Sequence, residues 1–381
     1  MKKRRLRVLL VANYLPDKQE SMLRFSEMLF RGLSLEKATI EVALINPRAI
    51  LVRQNARSSA FKKYLAYIDK LFIFPFLLFL DSFKFDVVHI CDQGNAFYKL
   101  VLPHKTTIVS CHDLGALRAA LGEDTSCPPS SLGKLLQGLI LLGLKCAEQI
   151  ICVSQATLND LNRVIPKRKS IGLDFVIASA VEPVFKKQNE TEIGRALARF
   201  PELNWKQGFV LHVGSSHIRK NRAGLIKAFA GSAERFSSQL VFCGERLNEN
   251  LSELVRELDL QSRTLDLGKV DDLELAALYS AATVFVFPSY FEGFGWPPLE
   301  AQACGCPVIS SNRASLPEVL GKSAPLIDPD DIQSLSHWLT KISDPEEQLK
   351  WKKLGEENAA RYSKQAMLQQ YLKAYEKISN R

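Results

Sequence analysis

The strongest constraint on the fold is an alternation, repeated in both halves of the chain, between short apolar runs rich in β-branched residues and longer helical patterns. In the second half the runs are FVLHVG, QLVFCG, TLDLG, TVFVFP, PVISS and APLID, between residues 209 and 328. In the first half they are RVLLVA, IEVALI, DVVHIC, TTIVSC and QIICVS, between residues 7 and 154. Strands that are apolar along their whole length must be covered on both faces, so the pattern predicts parallel sheets flanked by helices. The expected fold class is therefore α/β, with two Rossmann-like domains.

The length of 381 residues points the same way, because one hydrophobic core rarely serves more than roughly 250 to 300 residues. The periodicity breaks near 176–186, VIASAVEPVFK, where small residues and a proline interrupt it. We expect one domain over 1–180, a second domain over 186–362 and a final helix over 363–381. Open parallel sheets bind ligands at the carboxyl ends of their strands, so we expect a site in the cleft between two such sheets.

The positive charge of the chain is concentrated in its first half. The net charge is +9, and residues 1–170 hold 25 Lys and Arg against 14 Asp and Glu. This asymmetry predicts an anionic partner for the first half. We expect no nucleic-acid partner, since the aromatic and basic interleaving of RNA-reading modules is missing from the sequence. The run LFIFPFLLFL, 71–80, is too short to span a bilayer; it could rest on an anionic membrane or be a helix buried beneath a basic face.

The eight cysteines are scattered, and most lie inside apolar runs, where free cysteine behaves as a small buried hydrophobe. Cys304 and Cys306 have no second ligand pair, so we expect no metal site. The basic start MKKRRLRVLLVANYLPD has only a short apolar run and no A-x-A site, which favours a first buried strand over a secretory signal. A cytoplasmic location fits these features, with peripheral contact at the inner face of the membrane as a further possibility.

The most informative loop is FEGFGWPPLEAQACGCPVISS, 291–311, which follows the predicted strand TVFVFP. Gly293 and Gly295 let the backbone approach a ligand closely and present bare N–H groups. The two prolines at 297 and 298 suit a helix start, and the amides of a first helical turn are a place for phosphate.

Two glutamates, Glu292 on this loop and Glu300 in the predicted first helical turn, are eight residues apart. Both could reach the same space and accept hydrogen bonds from sugar hydroxyls. Taken singly, each has a simpler explanation: Glu300 complements the helix dipole, and Glu292 is a solvated loop charge.

A second loop, HVGSSHIRKN at 212–221, also follows a predicted strand and opens a helix. Its cations, Arg219 and Lys220, could neutralise an anionic ligand such as a diphosphate. A basic helix cap is the alternative explanation.

Strand ends in the first half carry further polar residues. SCHDL places His112 and Asp113 after TTIVSC, and DVVHICDQG places Asp92 after the neighbouring run. A single histidine in such a position is more often structural than functional. Asp92 and Asp113 are candidates for the acceptor side of a site, or ordinary loop residues.

The stretch EGFGWPPLEAQACGCPVISS closely resembles the signature of the retaining, family-4 glycosyltransferases of the GT-B fold, in its paired glutamates and in the ACGxPV that follows. The similarity begins at DDLELAALYSAATVFVFPSYFEGFG and continues through SSNRASLPEVLGKSAPLIDPDD. It is weak over the first 180 residues and strong from about 208 to 330. The resemblance implies two Rossmann-like domains whose parallel sheets face across a cleft, 1–180 on the acceptor side and 186–362 binding the nucleotide sugar. It also implies that the C-terminal helix, 363–381, crosses back to the first domain.

By position, the resemblance implies that Glu292 contacts the transferred sugar and Glu300 the ribose of the nucleotide. The backbone of Gly293, Phe294 and Gly295 would hold sugar and phosphate.

Family members carry a lysine six residues after a glycine, here Gly214 and Lys220. They often have arginine directly after that glycine, whereas this chain has Ser215. We therefore expect Arg219 to share the role of Lys220 at the diphosphate.

In the first half, the resemblance implies that His112 contacts the donor sugar near the reacting carbon. Many relatives carry a Gly-Gly pair after the first strand, and NYLPDKQESMLRF lacks it. Side chains such as Lys18 are expected to substitute for those glycines on the acceptor side.

The implied function is transfer of a hexose, with retention, from a nucleoside-diphosphate sugar to a hydroxyl of a glycan or lipid-linked acceptor in cell-surface polysaccharide assembly. The combination of RKN, GFGxPPLEA and SLPEV looks like the mannosyltransferase-like branch, so GDP-mannose is the first candidate among GDP- and UDP-hexose donors. No cofactor or metal is expected, since Lys220, Arg219 and the helix dipole can supply the positive charge. Two alternatives remain: a catalytically silent GT-B binding subunit and a nucleotide-sugar epimerase of the same architecture.

Overall fold

The structure is a computed structural model that describes residues 5–17, 19–51, 65–102, 106–123, 125, 129–166, 174–232 and 238–379. The chain divides into two compact units. The N-terminal unit comprises Met1–Ala178 and Gln365–Arg381, and the C-terminal unit comprises Ser179–Lys364. The C-terminal unit is thus an insertion between two segments of the other.

The N-terminal unit is built on a six-stranded sheet in which every pair of neighbours is parallel. Its strands are β1 (Leu6–Val11), β2 (Ile40–Ile45), β3 (Val87–Ile90), β4 (Thr106–Cys111), β5 (Gln149–Cys152) and β6 (Phe175–Val176). The order across the sheet is β2-β1-β3-β4-β5-β6. The chain places β2 on one side of β1 and then adds β3 on the other side. The loops after β1 and β3 therefore lie side by side at the carboxyl edge of the sheet.

Helices cover this sheet. They are α1 (Glu20–Leu33), α2 (Phe74–Ser82), α3 (Gly115–Ala120), α4 (Ser131–Cys146), α5 (Gln155–Val164) and, from the other end of the chain, α14 (Lys364–Ser379), with 3₁₀ segments at Leu15–Asp17 and Gln93–Val101. A π-helical turn, Asp69–Ile73, leads into α2. Ser130 and Ser154 begin α4 and α5 by accepting the amides of Gly133 and Thr157, as N-cap serines do.

The C-terminal unit repeats the plan with a second six-stranded parallel sheet. Its strands are β7 (Phe209–Gly214), β8 (Gln239–Gly244), β9 (Thr264–Asp266), β10 (Val284–Phe287), β11 (Val308–Ser311) and β12 (Leu326–Ile327), in the order β12-β11-β10-β7-β8-β9. The helices are α6 (Glu190–Ala196), α7 (Arg222–Ser232), α8 (Glu249–Glu257), α9 (Asp272–Ala281), α10 (Trp296–Ala303), α11 (Leu316–Leu320), α12 (Ile332–Lys341) and α13 (Pro345–Ala359), with 3₁₀ turns at Trp205–Gln207, Ile218–Lys220 and Gln261–Arg263. Because β7 and β10 are neighbours, the loops that follow them meet at one edge.

Each of the eleven predicted apolar runs contains a strand, so the α/β prediction is confirmed for both halves. The two-residue strand β6 was not predicted from the sequence, because only Phe175 and Val176 pair with β5. Each unit has its own core, in which buried aliphatic and aromatic side chains pack against the sheet. Within the described residues, no helix is both long enough and apolar enough to cross a membrane.

Helix α14 is anchored in the N-terminal unit by polar contacts to the sheet. The Nδ1 atom of His89 lies 2.6 Å from the hydroxyl of Tyr375, and its Nε2 atom lies 2.8 Å from the hydroxyl of Ser110. Tyr371 is fully buried and stacks on the His89 ring. Gly32 of α1 makes room for Leu368, since a Cβ there would lie 2.3 Å from the leucine side chain. The helix is therefore part of the N-terminal core.

Candidate active site

The two loops singled out in the second half lie together at the carboxyl edge of the C-terminal sheet. One follows β7 and leads through the 3₁₀ turn Ile218–Lys220 into α7; the other follows β10 and leads into α10. The amide of Tyr290 donates to the carbonyl of Arg219 at 2.8 Å, which joins the loops directly. The strand order thus brings Arg219, Lys220 and Glu292, three of the residues predicted to act on the donor, within contact distance.

A three-residue charge cluster forms where the loops meet. The ammonium of Lys220 donates to Oε1 of Glu292 at 2.7 Å, and Nη1 of Arg219 donates to the same oxygen at 2.9 Å. The side chains of Lys220 and Glu292 are 9% and 11% exposed, whereas that of Arg219 is 37% exposed. Lys220 and Glu292 therefore form a buried pair, with Arg219 at its rim.

Both members of the buried pair keep their charge through each other. Burial lowers the pKa of Lys220, because a desolvated ammonium is costly, and Glu292 opposes that shift. Burial works to raise the pKa of Glu292, but the charges of Lys220 and Arg219 outweigh it and hold that pKa below its ordinary value. The ammonium also lies 4.5 Å from the centre of the Phe287 ring, a cation–π contact that offsets part of its desolvation. The cluster carries a net positive charge of one.

The β10 loop is held in shape by its own C-terminal neighbours. The hydroxyl of Ser315 lies 2.9 Å from the carbonyl oxygens of both Glu292 and Phe294. Gly295 precedes α10 with a φ of 104°, and a Cβ there would come within 2.7 Å of the Leu316 side chain. Only glycine satisfies both conditions, which explains the second glycine of the Gly-Phe-Gly sequence.

Glu300 occupies a different place from the one predicted. Helix α10 begins at Trp296, so Glu300 is its fifth residue and lies beyond the first turn, where the sequence had placed it. The reason is that Trp296 and both prolines all fit inside the helix start. Glu300 is buried, and the hydroxyl of Tyr279 donates to its Oε2 at 3.3 Å. Phe294 is also buried, with its ring edge-on to Trp296 and Tyr362, and Gly293 lies between it and Glu292.

Sequence reasoning missed Arg222, the first residue of α7. Its buried guanidinium donates to the carbonyl oxygens of Gly214 at 2.5 Å and Glu245 at 2.8 Å, and to the hydroxyl of Ser216 at 3.0 Å. It therefore ties the ends of β7 and β8 together beside Ser215. The only signal in the sequence was a third cation in RKNR, which reads equally well as a solvated helix start.

A buried histidine lies beneath this loop. Nδ1 of His212 is 2.9 Å from the carbonyl of Val286, which links β7 to β10. Burial and the nearby charges of Arg222 and Lys220 lower the pKa of His212 to about 3. The ring is therefore neutral, and it adds no charge to the cluster.

In the N-terminal unit, His112 lies at the end of β4 as predicted from the strand pattern. Its Nε2 atom is 2.9 Å from the carbonyl of Cys91, its amide donates to the Gln93 side chain at 2.7 Å, and Phe25 packs edge-on against its ring. Burial lowers the pKa of His112, although Asp92 opposes the shift. The imidazole is a neutral, fixed group.

Both acidic candidates of this unit are engaged with backbone amides. Asp92 accepts the amide of Gly94 at 2.8 Å and is hydrogen-bonded to the Asn13 side chain. Asp113 accepts the amide of Gly115 at 2.9 Å. These contacts fix the loops after β3 and β4. Lys18 lies outside the described residues.

The described residues contain no group of three or more His, Cys, Asp or Glu side chains arranged to hold a metal ion. Cys304 and Cys306 are both buried, and burial raises the pKa of Cys306 to about 12. A thiol in that state packs as an apolar group and is a poor metal ligand.

Residues 196–358, which include this site, match the family model "Glycosyl transferases group 1". Among curated proteins, the chain is 30% identical over 272 residues to O-antigen chain mannosyltransferase B of Escherichia coli, covering 66% of this chain and 65% of that protein. It is 36% identical over 140 residues to the serotype-specific mannosyltransferase WbdA of Escherichia coli, which covers 35% of this chain and 17% of WbdA. The aligned regions thus span less than two thirds of either relative.

Solved structures share the architecture of the whole chain. Sucrose-phosphate synthase from Thermosynechococcus elongatus has a TM-score of 0.75 at 19% identity, covering 98% of this chain and 99% of that one. HepE from Anabaena, solved with UDP and glucose, has a TM-score of 0.73 at 16% identity, covering 97% of this chain and 99% of that one. Residues 196–358 thus form a domain of the kind described as glycosyl transferases group 1, and the chain as a whole has the two-sheet α/β architecture of the GT-B fold.

Proposed function

We propose that this protein transfers a hexose from a nucleoside-diphosphate sugar to a hydroxyl of a glycan or lipid-linked acceptor during assembly of a cell-surface polysaccharide. The observation that carries the proposal is the buried Lys220–Glu292 pair with Arg219 at its rim. A hexosyl donor needs positive charge for its diphosphate and a carboxylate for its sugar hydroxyls, and this cluster supplies both at one sheet edge. The names of the relatives support polysaccharide assembly and mannose as the hexose.

In the proposed mechanism, Lys220 and Arg219 stabilise the charge that develops on the leaving diphosphate. Charge stabilisation is most effective where the groups are already fixed and water is excluded, as the buried position of Lys220 provides. A carboxylate has about four lone-pair sites, so Glu292 can accept a sugar hydroxyl while it still holds the two cations. The backbone N–H groups of Gly293, Phe294, Gly295 and Trp296 would bind phosphate oxygens at the start of α10, where the next two residues are prolines without an N–H.

Glu300 is proposed to accept hydrogen bonds from the ribose, with Tyr279 fixing its carboxylate. His112 is proposed to donate to or accept from the transferred sugar, and Asp92 and Asp113 to serve the acceptor. We propose retention by front-side displacement, in which the leaving phosphate assists the incoming hydroxyl and no protein nucleophile is required. Metal independence is proposed on the same ground, because the protein supplies two cations where the diphosphate would lie.

GDP-mannose is the proposed donor, with UDP-hexoses as the alternative; HepE was solved with UDP and glucose. Titration calorimetry with UDP, GDP, ADP and their hexose conjugates, with and without EDTA, distinguishes these possibilities. We expect one diphosphate to bind selectively and EDTA to leave its affinity unchanged. Binding of no nucleotide would instead favour a silent binding subunit.

Activity is then tested with the selected donor and a glycan acceptor. We expect Arg219→Met to reduce turnover strongly. Arg199→Met is the matched control, because Arg199 makes an ion pair with Glu274 in the same unit but has no part in the cluster. Release of free sugar epimer without acceptor would indicate an epimerase, and equal loss in both variants would remove Arg219 from the mechanism.

A further inference from the structure

The outer face of the helical segment 69–83 is apolar and exposed. Phe72, Phe76 and Leu80 follow one another at four-residue spacing and are 70%, 63% and 50% exposed. Phe79 and Phe83 lie beside them, with ring centres 5.1 Å apart. Residues four apart lie on one side of a helix, so these side chains form a continuous stripe, which we call the aromatic stripe.

The inner face of the same segment is equally apolar. Phe74 and Leu78 are buried in the N-terminal core, and Pro75 is buried beside them. A surface helix normally turns polar residues outward, and a helix that is apolar all round is normally covered on every side. The inner face accounts for the attachment of the segment to the protein, but no contact among the described residues of the N-terminal unit covers the outer face.

The exposed apolar surface extends beyond the segment itself. The amide of Leu51 donates to the buried carboxylate of Asp69 at 3.1 Å, which brings Leu51 and Ile50 against the start of the segment. Both side chains are exposed. Among the described residues, fifteen of the nineteen exposed large hydrophobic side chains belong to the N-terminal unit. Exposed large hydrophobic side chains are thus concentrated in the N-terminal unit.

The N-terminal unit is also the basic one. It holds 28 Lys and Arg against 16 Asp and Glu, a net charge of +12, whereas the C-terminal unit holds 22 against 25, a net charge of −3. Arg48 and Lys84 are exposed and lie close in sequence to Ile50 and Phe83; the ammonium of Lys84 also makes an exposed ion pair with Asp81 at 2.7 Å. Aromatic and leucine side chains within a basic surface are the combination that binds the interface of an anionic bilayer.

From this surface we infer that the aromatic stripe inserts into the headgroup region of an anionic membrane, with Arg48 and Lys84 among the cations that face lipid phosphates. A second copy of the chain is a poorer occupant, because a two-fold contact through this face would bring two units of charge +12 together. The inference concerns a partner of the N-terminal unit and does not depend on the proposed sugar transfer.

Binding to vesicles tests the inference directly. We expect the full chain to co-sediment with vesicles of phosphatidylcholine and phosphatidylglycerol, to bind phosphatidylcholine alone far more weakly, and to be released by salt. The triple variant Phe72→Ser, Phe76→Ser, Leu80→Ser should reduce the partition coefficient at least about tenfold, because three apolar side chains no longer enter the lipid. These exposed positions make no core contact, so the melting temperature should stay near that of the wild type.

The matched control is the double variant Leu273→Ser, Leu349→Ser, which removes exposed leucines from the C-terminal unit. It should bind vesicles like the wild type. The inference is overturned if the wild type ignores anionic vesicles, if it binds neutral ones equally well, or if the triple variant keeps its affinity. Light scattering that shows a wild-type dimer, lost in the triple variant, would assign the stripe to a second copy instead.

A second measurement reports insertion itself. The four tryptophans, at 205, 296, 338 and 351, all lie in the C-terminal unit, so Phe76→Trp adds the one reporter of the N-terminal unit. Brominated lipids in the anionic vesicles should quench this added fluorescence, and unchanged intensity would overturn insertion. Nucleotide binding should be equal in all variants, which separates a failure of membrane docking from a failure of the proposed transferase activity.

Discussion

Lys220 combines two properties that normally exclude each other, since its ammonium is buried and yet charged. The charge persists because Glu292 lies 2.7 Å away and the Phe287 ring faces it. Removing one member of a buried pair usually costs several kcal/mol, because the other charge is left without compensation. At this site Arg219 contacts the same carboxylate oxygen and limits that penalty.

We therefore predict that Lys220→Met reduces kcat by about 10²- to 10³-fold, the range seen when a fixed group that stabilises developing charge is lost. The protein should stay folded, with a moderately lower melting temperature. The double variant Lys220→Met, Glu292→Gln removes both charges and should recover the melting temperature but not the activity. Recovery of both would show that the pair is structural.

Arg222 acts at the same scale through backbone oxygens instead of a carboxylate. We predict that Arg222→Met destabilises the C-terminal unit by roughly 1–3 kcal/mol, because the carbonyls of Gly214 and Glu245 lose a charged donor. Urea unfolding followed by tryptophan fluorescence measures this loss. The variant should also raise KM for the donor more than it lowers kcat, since the β7 loop loses its anchor to β8. A pure loss of stability with unchanged KM would contradict the positioning role.

At the scale of elements, the sequence predicted the strands and loops that depend on local pattern. It missed the contacts between side chains that are far apart in the chain. Continuous apolar runs identified eleven strands. Glycines and prolines identified the loop after β10, and the position of the cations after a strand identified the loop after β7. The contact of His89 with Tyr375 joins residues 286 positions apart, and Arg222 finds its acceptors only after β7 and β8 have paired. Neither contact produces a periodic pattern in the sequence. Glu300 was assigned to the first turn and is instead the fifth residue of α10, because a proline pair marks a helix start only to within a few residues.

The anchoring of α14 gives a prediction for that element. Tyr375→Phe removes the hydroxyl that meets Nδ1 of His89 and leaves a buried ring nitrogen without this partner. We expect a loss of roughly 1–3 kcal/mol in the unfolding free energy of the N-terminal unit. Hydrogen exchange should speed up in α14 and β3 and stay unchanged in the C-terminal sheet. Unchanged protection in α14 would show that packing alone holds the helix.

For the whole molecule, buried neutral histidines set the response to acid. Burial lowers the pKa of His89 in the N-terminal unit and of His212 in the C-terminal unit, each to about 3. Below the ordinary histidine pKa of about 6.5, these histidines are protonated in the unfolded chain but stay neutral in the folded chain. The free energy of unfolding therefore decreases as the pH is lowered. The limiting slope is about 1.4 kcal/mol per pH unit for each such histidine.

We predict that both units lose stability between about pH 6.5 and pH 4, measured by urea unfolding at a series of pH values. Replacing His212 by asparagine should reduce the pH dependence of the unfolding free energy of the C-terminal unit, even if the replacement also changes stability at neutral pH. The tryptophans of that unit report its unfolding. The exposed His337 is the matched control, and its replacement by asparagine should leave the slope as it is. An unchanged slope after the His212 replacement would contradict this account.

The connectivity of the two units also constrains how the chain is made. Residues 179–364 form a contiguous unit, whereas the N-terminal unit needs α14 from the far end of the sequence to cover His89 and Ser110. Domains fold as they emerge from the ribosome, generally in the order of synthesis. The part synthesised first must here wait for the part synthesised last, so its basic surface and aromatic stripe leave the ribosome before their own core is closed. In a nascent chain arrested before α14, the C-terminal unit would be complete, whereas the N-terminal unit would expose its aromatic stripe while its core was still incompletely folded.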